Sequence, residues 1–313
     1  DARKFLDRIC TRQIWGMKDG QVRYSLICNE DGGCRDDVLV YRMGETEYMM
    51  VCNASNRAKL LEHFAKVKGD LAFKQEDDTE RTAMVAIQGP KVMDLLSSVS
   101  SEVPNLKRYW FTQKNLLIAK ILISRTGYTG EDGVEVILPK SFAGQAVKLL
   151  LGSKSASEAI KPIGLGARDS LRLEAGMPLY GHEIEEPLDP ISAGLNFAIK
   201  LDKGENAENS PAEVGRFIGQ DALQKIANEG PKRKLVGLIL EGKRAARQNM
   251  TVHEGNSEVG FVTSGCWSPT LEKSIAMAYV PTALAEEGQA LAVNLGRATT
   301  PATVCKLPFY KAG

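Results

Sequence analysis

From residue 22 onward, apolar and polar positions alternate with a period of two. Val22, Tyr24, Leu26 and Cys28 share one face of a predicted strand, residues 29–33 form the turn, and residues 37–41 return. Residues 47–52 predict a third strand in which Met49 and Val51 fall on the same face. The period then lengthens. Leu60, Leu61, Phe64 and Val67 predict a helix over 54–68. A strand at 84–87 leads through Gln88-Gly89-Pro90 to a helix at 91–98. Residues 116–124 and 133–138 predict a hairpin around a glycine-rich turn, and residues 142–151 and 164–175 predict helices.

A polar stretch at 202–215 reads as a surface loop, and Pro231-Lys232-Arg233-Lys234 as a junction. Beyond it come strands at 235–240, 258–263, 275–280, 289–293 and 302–305, the pattern of a small β-barrel or sandwich. The strands and helices do not alternate regularly, so the class is α+β without a doubly wound parallel sheet. No internal repeat interrupts the pattern. At 313 residues, the chain is long enough for two or three domains.

The apolar fraction of 43% excludes a disordered chain. Forty basic against 39 acidic residues leave no global field to attract nucleic acid or a membrane surface. The longest apolar stretch, 115–124, is broken by Lys120 and is too short to span a bilayer. The first residues show no signal-peptide pattern. The six cysteines form no Cys-x-x-Cys pair, none has a histidine at zinc-ligand spacing, and they read as reduced intracellular thiols. Three histidines supply a metal centre or a catalytic triad poorly, so no metal is expected.

Four segments carry candidate chemistry. Residues 164–184 contain Arg168 and Arg172, four apart on one helix face; by charge pattern alone they read as a surface ion-pair helix. Asp36 and Asp37 follow Gly32-Gly33. Locally they read as solvated turn carboxylates, yet the apolar run at 38–41 requires one of the two to face inward. Glu135 stands in Val134-Glu135-Val136-Ile137-Leu138, a strand apolar enough to be covered on both faces. There a carboxylate is costly unless it is paired or bound by a ligand; the alternative is a solvent-facing edge. The fourth segment is Val262-Thr263-Ser264-Gly265-Cys266-Trp267-Ser268-Pro269.

Taken in order, the hairpin at 32–40, the stretch 124–136, the segment 164–184 and the segment 262–271 resemble the T-protein family of the glycine cleavage system, over nearly the whole chain. The resemblance implies two interleaved α+β folate-binding subdomains over 1–230 and a C-terminal β-barrel over 231–313, around a central opening. It implies an aminomethyltransferase: the methylene of an aminomethyl group on the lipoyl arm of H-protein passes to tetrahydrofolate, and ammonia leaves. It places Asp37 against the folate as the catalytic acid, Glu135 on the pterin, Tyr128 in the same pocket and Arg168 against the pterin. Tyr24, Met49, Val51 and Asn53 would complete the pocket, and Arg247 would hold the anionic glutamyl tail. The Ser264-Gly265-Cys266 segment would form a turn facing the opening.

These assignments suit the chemistry. Opening a C–S bond towards an iminium develops positive charge, which a fixed buried carboxylate stabilises better than water does. The same group can relay the proton of an attacking nitrogen, and repulsion between adjacent acids can raise one pKa into a useful range. A single carboxylate accepts from both the ring N–H and the exocyclic amine of a pterin. Cys266 has no activating neighbour in the sequence and is a poor nucleophile.

The resemblance also sets partners and place: tetrahydrofolate as co-substrate, lipoylated H-protein as carrier, no nucleic acid and no membrane. The compartment would be the cytoplasm of a bacterium or the mitochondrial matrix of a eukaryote. Family members begin with an Asp-Val-Ser-His-Met stretch that has no counterpart here, so an inactive or scaffold homologue stands as one alternative. A folate-dependent demethylase relative is another, although no Gly-x-Gly-x-x-Gly follows a strand. A folate-binding iron–sulfur assembly factor would carry Lys-Gly-Cys-(Tyr or Phe)-x-Gly-Gln, which is absent.

Overall fold

Strand β1 (Val22–Cys28) turns into β2 (Cys34–Arg42), which pairs with β3 (Tyr48–Val51) to make a three-stranded antiparallel sheet. The turn requires its glycines: Asn29 Oδ1 accepts the N–H groups of Asp31 and Gly33, and a Cβ on Gly33 would lie 1.7 Å from the Glu186 carbonyl oxygen. Register places Tyr24 opposite Leu39 and Leu39 opposite Val51. Tyr41 likewise faces Val22 and Met49, and Leu26 faces Asp37. Directly paired residues share a sheet face. One face therefore carries Tyr24, Asp37, Leu39, Tyr41, Met49 and Val51.

The opposite face presents Ile27, Val38, Val40 and Met50. It packs on α1 (Ala2–Ile9) through Phe5, Leu6 and Ile9, and on α2 (Arg57–Val67) through Leu60. Helix α1 was not legible from periodicity, because it is only eight residues long and Asp7 is among its buried residues.

The structure is a computed structural model that describes every residue except 99, 117–118, 153–159, 206–214 and 313. A second antiparallel sheet runs β4-β7-β6-β5, from β4 (Thr82–Gln88), β5 (Phe111–Leu116), β6 (Ala119–Ser124) and β7 (Gly133–Pro139). The expected single strand at 116–124 is thus divided between β5 and β6. The β6–β7 pairing holds at Leu122–Ser124 against Glu135–Ile137. Outward-facing Ile87, Val134 and Val136 cluster with Val92 and Leu96 of α3 (Val92–Ser97) and Leu150 of α4 (Ala143–Gly152). Ile137, Phe111 and Leu122 instead meet Val22, Tyr41, Met49 and Val51 of the first sheet. An apolar layer between the two sheets results.

The C-terminal strands β8 (Arg233–Leu240), β9 (Thr251–Glu254), β10 (Ser257–Ser268), β11 (Lys273–Pro281), β12 (Ala290–Asn294) and β13 (Thr299–Cys305) close into a barrel in the order β10-β11-β8-β13-β12-β9. Its interior is filled by Leu238, Val252, Val262, Ala276, Ala278 and Val293. β9 is too short to show alternation, and it was not expected. β10 runs past residue 263, so Ser264-Gly265-Cys266 is strand and not a turn. A register shift between Val262 and Ser264 bends it there.

Two helices tie barrel to sheets. Leu173 of α5 (Leu165–Glu174) packs on Ile275 and Met277. Leu223 of α6 (Gln220–Glu229) joins Leu26, Cys34, Ile184 and Tyr279 in a cluster reaching from β1–β2 to the barrel. The expected loop at 202–215 lies largely outside the described residues. No helix among those described is long and apolar enough to cross a membrane.

Candidate functional site

Consecutive strand residues point to opposite faces, and Asp36 and Asp37 obey that rule. Asp36 faces the helices and is 0% exposed. Its Oδ1 accepts from Nδ2 of Asn56 (2.6 Å) and of Asn53 (2.8 Å), and its Oδ2 from the Asn53 N–H (3.1 Å). This overturns the reading of Asp36 as a solvated turn residue. It fastens the start of α2 to β2.

Asp37 faces the layer between the sheets and is half-buried. Its Oδ1 accepts from Asn53 Nδ2 at 2.7 Å and its Oδ2 from the Tyr24 hydroxyl at 3.2 Å. The Asn53 amide therefore donates to both carboxylates and moderates their repulsion. Burial first, and the Asp36 charge second, push Asp37 up to about 6. Repulsion, which the sequence argument stressed, is the smaller cause. Both protonation states are thus accessible near neutral pH, as a proton-handling group requires.

Glu135 shares a strand face with Ile137 and is 7% exposed, so it is an interior residue and not an edge one. Its Oε2 accepts from the Thr126 hydroxyl at 2.6 Å. Thr126 Oγ1 lies 2.8 Å from Ser124 Oγ, which is 3.2 Å from the Tyr41 hydroxyl. A chain of hydroxyls therefore crosses from one sheet to the other at the carboxylate. The charge of Glu135 is felt at Tyr41 and at Tyr109. Met49 and Val51 lie in the apolar layer beside it with Leu39 and Ile137.

Tyr128 is set by its neighbour Gly127, where a Cβ would fall 1.8 Å from Gln88 Oε1. Its hydroxyl donates to the Pro178 carbonyl, and the half-buried Arg168 guanidinium lies 4.9 Å from its ring centroid. Burial raises the Tyr128 hydroxyl pKa, and the charges of Arg172, Asp37, Glu183 and Arg168 all act on it. The phenol therefore stands where the Asp37 face meets α5.

Arg172 corrects the surface ion-pair reading of α5. It is 1% exposed, with Nη1 at 2.9 Å from Glu183 Oε2 and Nη2 at 2.8 Å from Ser264 Oγ. Asp169, an exposed residue, accepts from Nε at 2.8 Å and forms an ion pair with Nη2 at 2.7 Å. His182 Nδ1 donates to the Thr263 carbonyl at 2.9 Å and lies 3.2 Å from Ser264 Oγ. Two residues on, Glu174 accepts from the hydroxyls of Ser268 (2.5 Å) and Thr270 (2.7 Å). Residues 164–184 thus clamp α5 to β10.

Arg247 is exposed and donates to the Gly265 carbonyl at 3.2 Å; its hydrogen bonds do not reach the Asp37–Glu135 layer. Cys266 is pushed up to about 11, first by burial, which leaves a neutral thiol. All six cysteines are free. No group of three or more His, Cys, Asp or Glu among the described residues could hold a metal ion.

Sequence reasoning assigned no role to Thr126, Tyr41 or Glu183. Thr126 and Glu183 sit inside quoted motifs, in Arg125-Thr126-Gly127 and Gly181-His182-Glu183, and that adjacency was the available signal. The arrangement as a whole offers an apolar layer between the sheets, a buried carboxylate able to accept paired N–H donors, and a second carboxylate pushed up to about 6.

Residues 1–203 match the GCVT N-terminal domain, and residues 233–311 match the glycine cleavage T-protein C-terminal barrel domain. The aminomethyltransferase of Rubrobacter xylanophilus is 41% identical over 312 residues, covering 99% of this chain and 79% of its own length. That of Bacillus pumilus is 38% identical over 313 residues, covering 99% and 83%. Among solved structures, the glycine cleavage system aminomethyltransferase T from Bartonella henselae superposes with a TM-score of 0.86 at 31% identity, covering 99% of this chain and 81% of that one.

Proposed function

The chain belongs to the glycine cleavage T-protein family of aminomethyltransferases, and from that membership we propose how its own residues divide the work. It is a tetrahydrofolate-dependent transferase that moves the methylene of an aminomethyl group to the folate and releases ammonia. In the proposed arrangement, the pterin enters the apolar layer between the sheets. Met49 and Val51 flank it, and Tyr24, Tyr128 and Arg168 bound it.

The observation that carries this reading is Glu135, a buried carboxylate engaged by the Thr126 hydroxyl. A carboxylate has about four lone-pair sites, so it can still accept the ring N–H and the exocyclic amine. Glu135→Gln should weaken tetrahydrofolate binding roughly 10- to 150-fold, the value of a lost charge-assisted bond of about 1.5–3 kcal/mol. Calorimetric titration checks this, and unchanged affinity would remove Glu135 from the pocket.

Asp37 faces the reacting carbon. As the C–S bond opens, with its electron pair going to sulfur, the carboxylate stabilises the positive carbon. Asp37 accepts the proton released when a folate nitrogen attacks, and passes it towards the departing amine. Overall, two C–N bonds to folate replace one C–S and one C–N bond, and two folate N–H protons end on the thiol and on ammonia. Asn53 keeps Asp37 oriented, and Tyr24 supplies its second donor.

The carrier in this reading is lipoylated H-protein, and the compartment is the cytoplasm of a bacterium. Residues 1–230 would form the folate-binding region and 231–313 the barrel domain. The test mixes the full chain, tetrahydrofolate and aminomethylated H-protein, then assays ammonia and methylenetetrahydrofolate. Both products should require all three components. Folate binding without product would favour a scaffold role. Turnover of free sarcosine or dimethylglycine with no carrier would favour a demethylase.

A further inference from the structure

Three hydroxyls with no part in the transfer chemistry stand in a row behind Glu135. Thr126 Oγ1 donates to Glu135 Oε2 at 2.6 Å and lies 2.8 Å from Ser124 Oγ, which in turn lies 3.2 Å from the Tyr41 hydroxyl. All three residues are buried. Register explains why Glu135 depends on them. Its direct cross-strand partners are Ser124 on β6 and Ala86 on β4, and alanine offers no polar group. Among the described residues, Thr126 alone hydrogen-bonds the Glu135 carboxylate.

The protons of this row run one way. The single Thr126 hydroxyl proton goes to the carboxylate, so Thr126 Oγ1 accepts from Ser124. Ser124 also reaches the Glu135 carbonyl, but at 3.3 Å against 2.8 Å to Thr126. The Ser124 oxygen is then left to accept from Tyr41. Burial pushes the Tyr41 phenol up to about 12, so it keeps its proton and stays a donor at neutral pH. Hydrogen bonds in such a chain polarise and strengthen one another. Both ends are anchored. Tyr41 stands on the Asp37 face of β2, and its ring meets Phe111 with centroids 5.5 Å apart. Gln88 Nε2 of β4 donates to the carbonyls of Thr126 (3.2 Å) and Val134 (3.0 Å), which ties the Thr126 backbone to the strand that carries Glu135.

We propose that Thr126, Ser124 and Tyr41 are positioning residues for pterin recognition: the row turns and holds the Glu135 carboxylate so that its remaining lone pairs face the ring N–H and the exocyclic amine of the folate. The inference rests on the reading that places the pterin against Glu135. The terminal torsion of a glutamate is broad, so an unanchored carboxylate samples many orientations. A fixed donor at Oε2 removes that freedom before the ligand arrives. Such preorganisation raises affinity without adding a contact to the ligand. Because the row ends on β2, it also fixes Glu135 relative to Asp37 across the layer between the sheets.

The experiment titrates the full chain calorimetrically with tetrahydrofolate and with its 2-desamino-2-methyl analogue, which lacks the exocyclic amine. It uses the wild type, Thr126→Val, Thr126→Ser, Tyr41→Phe and Glu135→Gln, with melting temperatures recorded for each. Thr126→Val keeps the shape of the side chain and removes the hydroxyl. It should weaken tetrahydrofolate binding about tenfold, and Thr126→Ser should keep most of the affinity. Tyr41→Phe, at the far end of the row, should cost less, about threefold. The Thr126→Val penalty should shrink for the analogue, because a misaimed carboxylate then has one bond to lose in place of two. A general loss of folded protein would weaken both ligands equally, so this comparison decides whatever the melting temperatures. Equal penalties for the two ligands, or equal losses in Thr126→Val and Thr126→Ser, would overturn the positioning role. So would an unchanged affinity in Thr126→Val beside a weakened Glu135→Gln, which would leave the pterin site standing. Unchanged affinity in both variants would overturn the pterin site and the positioning role together.

Discussion

Asp37→Asn should slow aminomethyl transfer about a hundredfold, equivalent to roughly 3 kcal/mol of barrier, with tetrahydrofolate affinity nearly unchanged. The substitution keeps shape and contacts. Asn Oδ1 can still accept from Asn53, and Nδ2 can donate to the Tyr24 oxygen, so the loss is one of charge and proton capacity. Stability should not fall. The folded-state pKa of Asp37, about 6, lies above the ordinary 3.8, so the folded chain holds this proton more tightly than the unfolded chain does. Ionising Asp37 therefore costs stability, a cost absent below about pH 4 and complete above about pH 6. At pH 7.5 the Asn variant should melt no lower than wild type. The same pKa predicts that wild-type kcat/KM falls as pH drops through about 6, when Asp37 becomes neutral. The residual activity of the variant should lack that limb. Wild-type turnover, or an unchanged acid limb in the variant, would take Asp37 out of the mechanism.

The largest stability loss is expected at Arg172. Replacing it with Met should cost about 3–5 kcal/mol, because it leaves Glu183 as an uncompensated buried charge. Glu183 is 0% exposed, and its Oε1 already lacks a hydrogen-bond partner. The substitution also releases Ser264 on β10 and loosens the clamp between α5 and the barrel. Urea unfolding reads the effect. Adding Glu183→Gln to Arg172→Met should recover part of the loss, since the orphaned charge is then gone. A loss below about 1 kcal/mol would mean that the pair is solvated and the clamp carried by Glu174 alone.

Which features were legible in sequence follows from range. The faces of β1, β2 and β3 follow from a two-residue period, so the grouping of Tyr24, Met49 and Val51 with Asp37 needed only register. The interior position of Glu135 was legible because its strand neighbours are apolar. The fate of Asp36 was not, because it depends on α1 and α2 covering the far face of the sheet and on Asn53 and Asn56 arriving from beyond β3. Arg172 was misread for a similar reason. A buried ion pair and an exposed one have the same spacing along a helix, and only the partner strand β10 distinguishes them. Helix α6 and strand β9 are too short or too polar for periodicity to mark them. Ser264 looked like a turn residue beside Gly265. In β10 that glycine instead permits close approach, for a Cβ there would lie 2.7 Å from the Ala246 carbonyl oxygen.

The central claim is that folate lies between the two sheets, read by Glu135 at one end and served by Asp37 at the other. A crystal structure of the chain with tetrahydrofolate bound tests it most directly. The account predicts both Glu135 oxygens hydrogen-bonded to the pterin, Met49 and Val51 against its ring, and the reactive folate nitrogens beside Asp37. A folate bound elsewhere, with Glu135 still holding only the Thr126 hydroxyl and Asp37 only Asn53 and Tyr24, would contradict it.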